Sequence, residues 1–399
     1  MIAVVLLAAL AMSAAPGTAP PPRRAVFPPT RSGVHLNLVF NYAVPDLRRE
    51  IGVVDVVWGS RSPLPRQVFN QFYTPFERDG PYAGTHRLAW FERYHPDWIE
   101  YRCDRKTPAW EFGDRSDVPI DIADPAVLQY QRSGAVDPAF AAGYRSIDFD
   151  NLSLGNYALR CGHYTTSKTW VAQYSGQWSD AHYRADVLAW AQSTYAYIHA
   201  YSATATMAIN YSIQPQFGLR ENYALMTSTD EVLDERGFTN WGSRSDNAIV
   251  GLEWRQIVAM IAALQRNGTC YMENGEEPGP SQKISQAERL WVVANYLLTR
   301  DDCTYVWMSG FTASGAQEYG TMWLYPEYDL RIGAPLGSMT AQGRGWRRAY
   351  SNGLALVNPT TTSAAFALKG TYRDENGTRY SGRIVLPAAS GEVLLGPVH

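Results

Sequence analysis

Two short acidic runs carry the chemistry this sequence can do. The first is Gly143-Tyr144-Arg145-Ser146-Ile147-Asp148-Phe149-Asp150-Asn151. Read as a β-strand, its alternation puts Ile147 and Phe149 on one face and Asp148 and Asp150 on the other. Carboxylates on a strand otherwise built for burial cost free energy unless they are paired or used. In a parallel barrel the carboxyl ends of the strands gather the reactive groups. Asp150, at the strand tip, is therefore the first catalytic candidate, and Asp148, one pleat deeper, a supporting group. The second run is Asp230-Glu231-Val232-Leu233-Asp234-Glu235-Arg236-Gly237. Alternation separates Asp234 from Glu235, so one of them faces inward; the strand end and the Gly237 turn favour Glu235 as the second catalytic residue, with Asp234 in support. Two carboxyls across a cleft are what hydrolysis of a glycosidic bond requires: one protonates the departing oxygen while the other attacks or activates water.

Such a pair needs a frame that brings distant strand ends together. Eight strand-like runs alternate with helical patterns: Val34-Asn41, Val53-Gly59, Trp98-Cys103, Tyr144-Asp150, Thr204-Asn210, Glu231-Glu235, Thr269-Asn274 and Thr304-Ser309. This is the signature of an α/β fold with a parallel sheet, and eight is the number that closes a (β/α)8 TIM barrel. Local signals mark the helices. Asp124-Pro125 is an N-cap followed by proline at the first helical position, Ser285 and Glu288 form a capping-box pattern, and Gly268 closes a helix that begins near Asp246. The link from strand three to strand four is long, and part of Lys106-Pro119 reads as a loop over the site. From about Ala334 short strands separated by turn-formers replace the helices, as in a small C-terminal antiparallel β-domain of sandwich-like type. The resulting organisation is 1–15 signal peptide, 16–33 proline-rich linker, 34–333 barrel and 334–399 β-domain.

Composition narrows the class. Of the 399 residues 46% are hydrophobic and 18% charged, which excludes a disordered chain. With 35 basic and 38 acidic residues the formal charge is -3, so no electrostatic footprint for nucleic acid or anionic lipid is present. The apolar run from Ile2 to Met12, followed by small residues, reads as a secretory signal, too short to span a bilayer. No later stretch is long and uncharged enough to span, so the mature chain is expected to be soluble and secreted, periplasmic or held at the cell surface. Four cysteines fit export and match no zinc spacing. Cys270 and Cys303 open neighbouring strands and can bridge, while Cys103-Cys161 would tie the loops after strands three and four. The pattern calls for no cofactor and no metal.

The acidic strand also carries a family resemblance. Asp121 and Pro125, then Gly143-Tyr144 running to Ile147-Asp148-Phe149-Asp150-Asn151, resemble the "D-x-x-x-P" helix start and "G-(F/Y)-D-G-(I/V)-x-x-D-N" strand of the hypothetical glycosyl hydrolase-like (family 15 type) barrel proteins. These are distantly similar to endo-α-1,4-polygalactosaminidases. Leu88-Ala89-Trp90, His95-Pro96-Asp97-Trp98, Asn352-Gly353 and Asn358-Pro359 extend the likeness over most of 35–399. The resemblance implies that the strand-four Asp and strand-six Glu, here Asp150 and Glu235, are the catalytic pair. The sequence departs from the pattern at Arg145-Ser146, where Asp-Gly is usual.

Strand-end polar and aromatic residues complete the expected site. Asn41, Tyr42, Trp58, Tyr101, Arg102, Asn151, Asn210, Tyr211, Glu273 and Trp307 are the candidates for binding a polysaccharide or oligosaccharide through hydroxyl contacts and ring stacking. Trp241 and Trp254 read as core, His35 and His163 as hydrogen-bonded structural residues. Two other functions are compatible with the same residues. A carbohydrate-binding barrel without turnover would have no need of the tip acids. A metal-dependent glycosyltransferase would use Asp148-x-Asp150 to hold a divalent ion.

Overall fold

The computed structural model describes residues 34–40, 52–60, 69–79, 86–111, 115 and 117–397. Asn41, Tyr42 and the two N-terminal segments lie outside the described residues. Eight parallel strands form one sheet in the order Asn37–Val39, Val56–Ser60, Phe69–Pro75, Ser146–Asp150, Thr206–Asn210, Glu231–Asp234, Cys270–Glu276 and Thr304–Ser309. It closes on itself: Leu36 pairs in parallel with Val306, whose amide donates to the His35 carbonyl at 2.9 Å. The molecule is a TIM barrel followed by a C-terminal antiparallel β-domain.

Seven barrel strands fall on the expected runs, and the third does not. It is Phe69–Pro75, while Trp98–Cys103 lies in an excursion above the barrel, where Tyr101–Arg102 pairs with Arg160–Tyr164. The error has a physical source. Trp98 and Ile99 are buried, but in a separate small core with Phe91, Val118, Ile120 and Val127, so their apolar run reports a satellite cluster. Phe69–Pro75 turns Gln71 and Tyr73 into the barrel, where the Gln71 amide donates to the Ser146 hydroxyl at 3.1 Å and also to Glu231.

Strand four follows its alternation. Ile147 and Phe149 face the helices, with the Phe149 ring 4.7 Å from Trp190 on the helix Ala181–Tyr201. Asp148 and Asp150 face the interior. Asp124 accepts from the Ala126 amide at 2.7 Å as an N-cap, and the Ser285/Glu288 capping box is formed. The helix closed by Gly268, in the left-handed region at φ 84°, starts at Gly251 rather than near Asp246. Val250 precedes it without a side-chain cap, and Ser243-Asp246 form a turn of their own.

The β-domain is a six-stranded antiparallel sheet with Gly353–Asn358 at its centre. That strand is buried on both faces. Ala355 and Val357 join the main core, while Leu354 and Leu356 join a second core with Phe366, Ile384 and Leu394. The sheet packs on the helix Gln286–Thr299, whose terminal carbonyls need partners. Arg348 supplies them, with Nη1 2.6 Å from the Arg300 oxygen and 3.3 Å from that of Leu297. A positive group there also meets the negative end of the helix dipole. The chain is cross-linked by Cys103–Cys161 and Cys270–Cys303, with Cα atoms 5.1 and 4.9 Å apart.

The closest seat of sheet on helix is Gly391, where an added Cβ would stand 2.5 Å from the Leu290 oxygen and 2.7 Å from the Ala294 methyl. Gly391→Ala should therefore cost ~1–3 kcal/mol by overpacking, read as a lowered denaturant midpoint. An unchanged midpoint would mean that the sheet does not bear on this helix.

Candidate active site

Strands four, five and six end beside one another, and their last residues meet. Asp150 is 5% exposed at the tip of strand four. It accepts the Tyr73 hydroxyl at 2.6 Å, the Asn210 amide at 2.8 Å and the Asn151 amide at 3.0 Å. Asn151 can reach back because its backbone takes φ 64°, a left-handed conformation that asparagine tolerates. Glu235 follows strand six, partly open to solvent. Its Oε2 accepts from Asn210 at 2.8 Å, and the Tyr319 hydroxyl donates to its Oε1. One amide nitrogen thus serves both acids. Since each oxygen is 2.8 Å from that nitrogen, the two cannot be more than twice 2.8 Å apart.

The electrostatics of the pair are unequal. Burial, followed by the charge of Asp150, pushes the Glu235 carboxyl up to about 7. Burial also raises Asp150, but the Tyr73 hydroxyl, the Arg78 guanidinium and the Asn210 amide all favour its ionised form. Arg78 is itself held 3.4 Å from both Glu111 and Asp117. Asp148 is fully buried and accepts the Gly59 amide at 2.6 Å. Burial first, then Glu231 and Asp150, raise it well above its ordinary value, which favours its protonated form. Asp234 points away from Glu235 to the Tyr271 hydroxyl at 3.1 Å, and the Gly237 amide closes the turn onto it at 3.3 Å.

Glu235, Asn151 and Asn210 line a cleft of about 420 Å³ together with Glu111, Leu152, Tyr157, Ser212, Gln214, Trp241, Gln317 and Tyr319. Asp150 is not part of the lining but lies directly beneath it, bonded to the lining residues Asn151 and Asn210. Of the residues expected to bind sugar, Asn151 and Asn210 belong here. Others do not. Trp58 is wholly buried against Phe40 and Tyr73, Glu273 is buried beneath Gly237, and Trp307 stacks on Tyr328 in the core. Tyr211 is buried with its hydroxyl on Asn222 at 2.7 Å. Tyr101 and Arg102 sit on the excursion sheet, away from the cleft lining, because their strand is not part of the barrel.

The reverse error is Trp241. It reads as core, yet it is 45% exposed on the cleft wall, while Trp254 is indeed buried with its indole N–H on Asn295. Tyr73 and Tyr319, which hold the two acids, escape sequence reading. Tyr73 stands on the misplaced third strand, and Tyr319 on a loop after strand eight that has no periodicity.

Comparison with known proteins agrees with this architecture. The model of hypothetical glycosyl hydrolase family 15 matches residues 171–354, a span that contains Glu235 and ends in the β-domain. No curated protein sequence gives a significant match. Among solved structures, Eubacterium rectale Amy13B is 9% identical with a TM-score of 0.51, covering 93% of this chain and 97% of its own. Isomaltulose synthase (PalI) from Klebsiella sp. LX3 is 8% identical with a TM-score of 0.51, covering 91% of this chain and 98% of its own. At such identities the likeness is one of fold.

The Tyr319 hydroxyl lowers the proton affinity of Glu235, so Tyr319→Phe should move the Glu235 titration midpoint above about 7. Side-chain carboxyl NMR can follow this. A midpoint that stays or falls would show that Tyr319 does not govern the acid.

Proposed function

We propose that this chain is a secreted glycoside hydrolase that cleaves O-glycosidic bonds of a polysaccharide, with Glu235 as general acid/base and Asp150 as nucleophile. The observation that carries the reading is the shared Asn210 amide, which holds two unequal carboxyls at one cleft floor. An acid raised to about 7 beside one whose ionised form is favoured by several donors fits the division of labour that glycosidic cleavage uses. The family match and the barrel support the same class. Two disulfides, which persist in oxidising compartments, support export. Among the described residues no helix is long and apolar enough to cross a membrane.

The spacing favours a double displacement. The two N–H bonds of an amide diverge by about 120°, so acceptors 2.8 Å along each stand about 4.9 Å apart. Retaining enzymes space their carboxyl groups at ~5–5.5 Å, inverting ones at ~6.5–9.5 Å. In the first step the Asp150 carboxylate attacks the anomeric carbon as the bond to the leaving oxygen breaks, and Glu235 gives that oxygen its proton. In the second, Glu235, now ionised, takes a proton from water, whose oxygen displaces Asp150 from the sugar. Trp241, Tyr157 and Tyr319 offer rings along the cleft for the apolar faces of sugars.

Digestion of a glycan library, read by mass spectrometry, tests the reading. Asp150→Asn and Glu235→Gln are near-isosteric and should each lower turnover by ~10²–10⁴ or more while the fold survives. Asp148→Asn should lower it less, because Asp148 is fully buried one pleat below Asp150 and does not line the cleft. Cleavage persisting in Asp150→Asn would move the chemistry elsewhere. Failure of the wild-type chain to cut any glycan while still binding one would favour a carbohydrate-binding barrel.

Two finer outcomes follow from the geometry. The first-formed product should keep its anomeric configuration, as seen by proton NMR, and inversion would overturn the nucleophile assignment. Activity should fall as pH rises through about 7, because the acid must be protonated and its carboxyl is raised to that value. A profile flat from pH 6 to 9 would remove Glu235 from the role.

A further inference from the structure

Away from the cleft, the excursion above the barrel gathers four donor groups from three chain segments. Glu100 precedes the strand Tyr101–Arg102, Asp121 follows Val118–Pro119, and His163 lies within Arg160–Tyr164, with Gln173 just beyond Trp170–Ala172. The ligand atoms of Glu100, Asp121 and His163 all lie within 4.8 Å of one another. His163 Nδ1 is 3.3 Å from Asp121 Oδ2, 3.2 Å from Gln173 Oε1 and 4.0 Å from Glu100 Oε1. None of the four lines the cleft.

Glu100 is the informative member. It is 0% exposed, and neither carboxyl oxygen has a hydrogen-bond partner. Its backbone is fixed, donating to the Pro119 carbonyl at 3.1 Å and accepting from Ala109 at 2.9 Å, so the side chain is aimed into the cluster by the sheet. Asp121 commits Oδ1 to the Ala123 amide at 2.9 Å and to the Gln173 amide at 3.0 Å, which leaves Oδ2 turned to His163. A buried carboxylate with no donor costs several kcal/mol unless a proton or a cation neutralises it.

We propose that Glu100, Asp121, His163 and Gln173 bind a divalent transition-metal ion of the zinc class, which staples the segment 100–121 to the strand Arg160–Tyr164. The donor separations fit. Zinc bonds of ~2.0–2.2 Å in a tetrahedron set neighbouring ligand atoms about 3.3–3.6 Å apart, so the separations of His163 Nδ1 from Asp121 and Gln173 match and that from Glu100 must shorten. An imidazole among oxygens selects zinc or its neighbours over calcium or magnesium, which prefer oxygen alone. The Cys103–Cys161 bridge joins the same two segments nearby, so disulfide and ion would brace one sheet from both ends. The inference does not depend on the proposed hydrolase reading.

The test uses the whole purified chain, stripped with a chelator and titrated with zinc chloride by calorimetry, with metal content measured by mass spectrometry. One ion per chain is expected, together with a higher melting temperature in zinc than in chelator. Glu100→Gln and His163→Ala should each lower affinity by roughly 100-fold or more, beyond the ~10–100-fold that loss of an outer partner costs. Glu100→Gln also separates the ion from the competing explanation, a proton held on Glu100, since in that case the amide would leave both affinity and melting temperature unchanged. Cobalt loading gives a second readout, with visible absorption bands expected in the wild type and lost in His163→Ala, provided circular dichroism shows that variant folded. Absence of zinc binding, binding of calcium in preference to zinc, or variants that bind as tightly as wild type would each overturn the proposal.

Discussion

The constraint on which the rest depends is the cost of carrying carboxyl groups inside a closed barrel. Asp148, Glu231, Glu273 and Glu276 are all fully buried, and for each of them desolvation is the largest influence, raising the carboxyl well above its ordinary range. Burial thus favours the protonated form of each of them. In the same interior a few donors set the balance between the two tip acids. Tyr73, Asn151, Asn210 and Arg78 converge on Asp150, while Glu235 has Asn210 and Tyr319 and faces the charge of Asp150.

The same constraint explains the excursion between strands three and four. Glu77 and Arg78 leave strand three directly beneath it. Glu77 is paired with Arg160 at 2.9 Å and receives the Tyr183 hydroxyl, so the barrel, the excursion strand Arg160–Tyr164 and the helix Ala181–Tyr201 share one buried ion pair. Removing either partner would leave a buried charge uncompensated, the costly case for internal ion pairs. The neighbouring Arg78 uses Glu111 and Asp117 of the excursion to stay in place while its charge acts on Asp150. Loop and active site are thereby one electrostatic unit.

What could be read in the sequence divides along physical lines. Alternation is local, so Asp148 and Asp150 on one face of strand four, Glu235 inward on strand six, and the caps at Asp124, Ser285 and Gly268 were legible from neighbouring residues alone. Seven strands are legible as short runs that are apolar or alternate apolar with polar residues. The third is not, because the consecutive Asn70 and Gln71 break both patterns. Ring burial was the least legible property. Trp58 and Trp307 share a composition signal with Trp241, and only the tertiary frame decides which of them meets solvent. The cluster of Glu100, Asp121, His163 and Gln173 has no signature in the sequence, since its members are scattered from residue 100 to residue 173 and show no ligand spacing along the chain.

These two kinds of acid site, one in the cleft and one in the excursion, differ in how their buried charge is met. At the cleft floor fixed dipoles do it: hydroxyls and amides anchored on barrel strands hold Asp150 and favour its ionised form without neutralising it. At Glu100 neither carboxyl oxygen has a hydrogen-bond donor; burial and Asp121 oppose its charge while Arg160 and His163 favour it, and the proposed ion would act on that balance. A reactive carboxylate must be solvated by groups that cannot themselves leave or bind too strongly. The barrel provides that through Tyr73 and Asn210, both carried on strands whose register is locked by their neighbours on each side. On the proposed reading a rigid sheet is part of the chemistry, because a donor that could swing away would shrink the difference in proton affinity between Glu235 and Asp150.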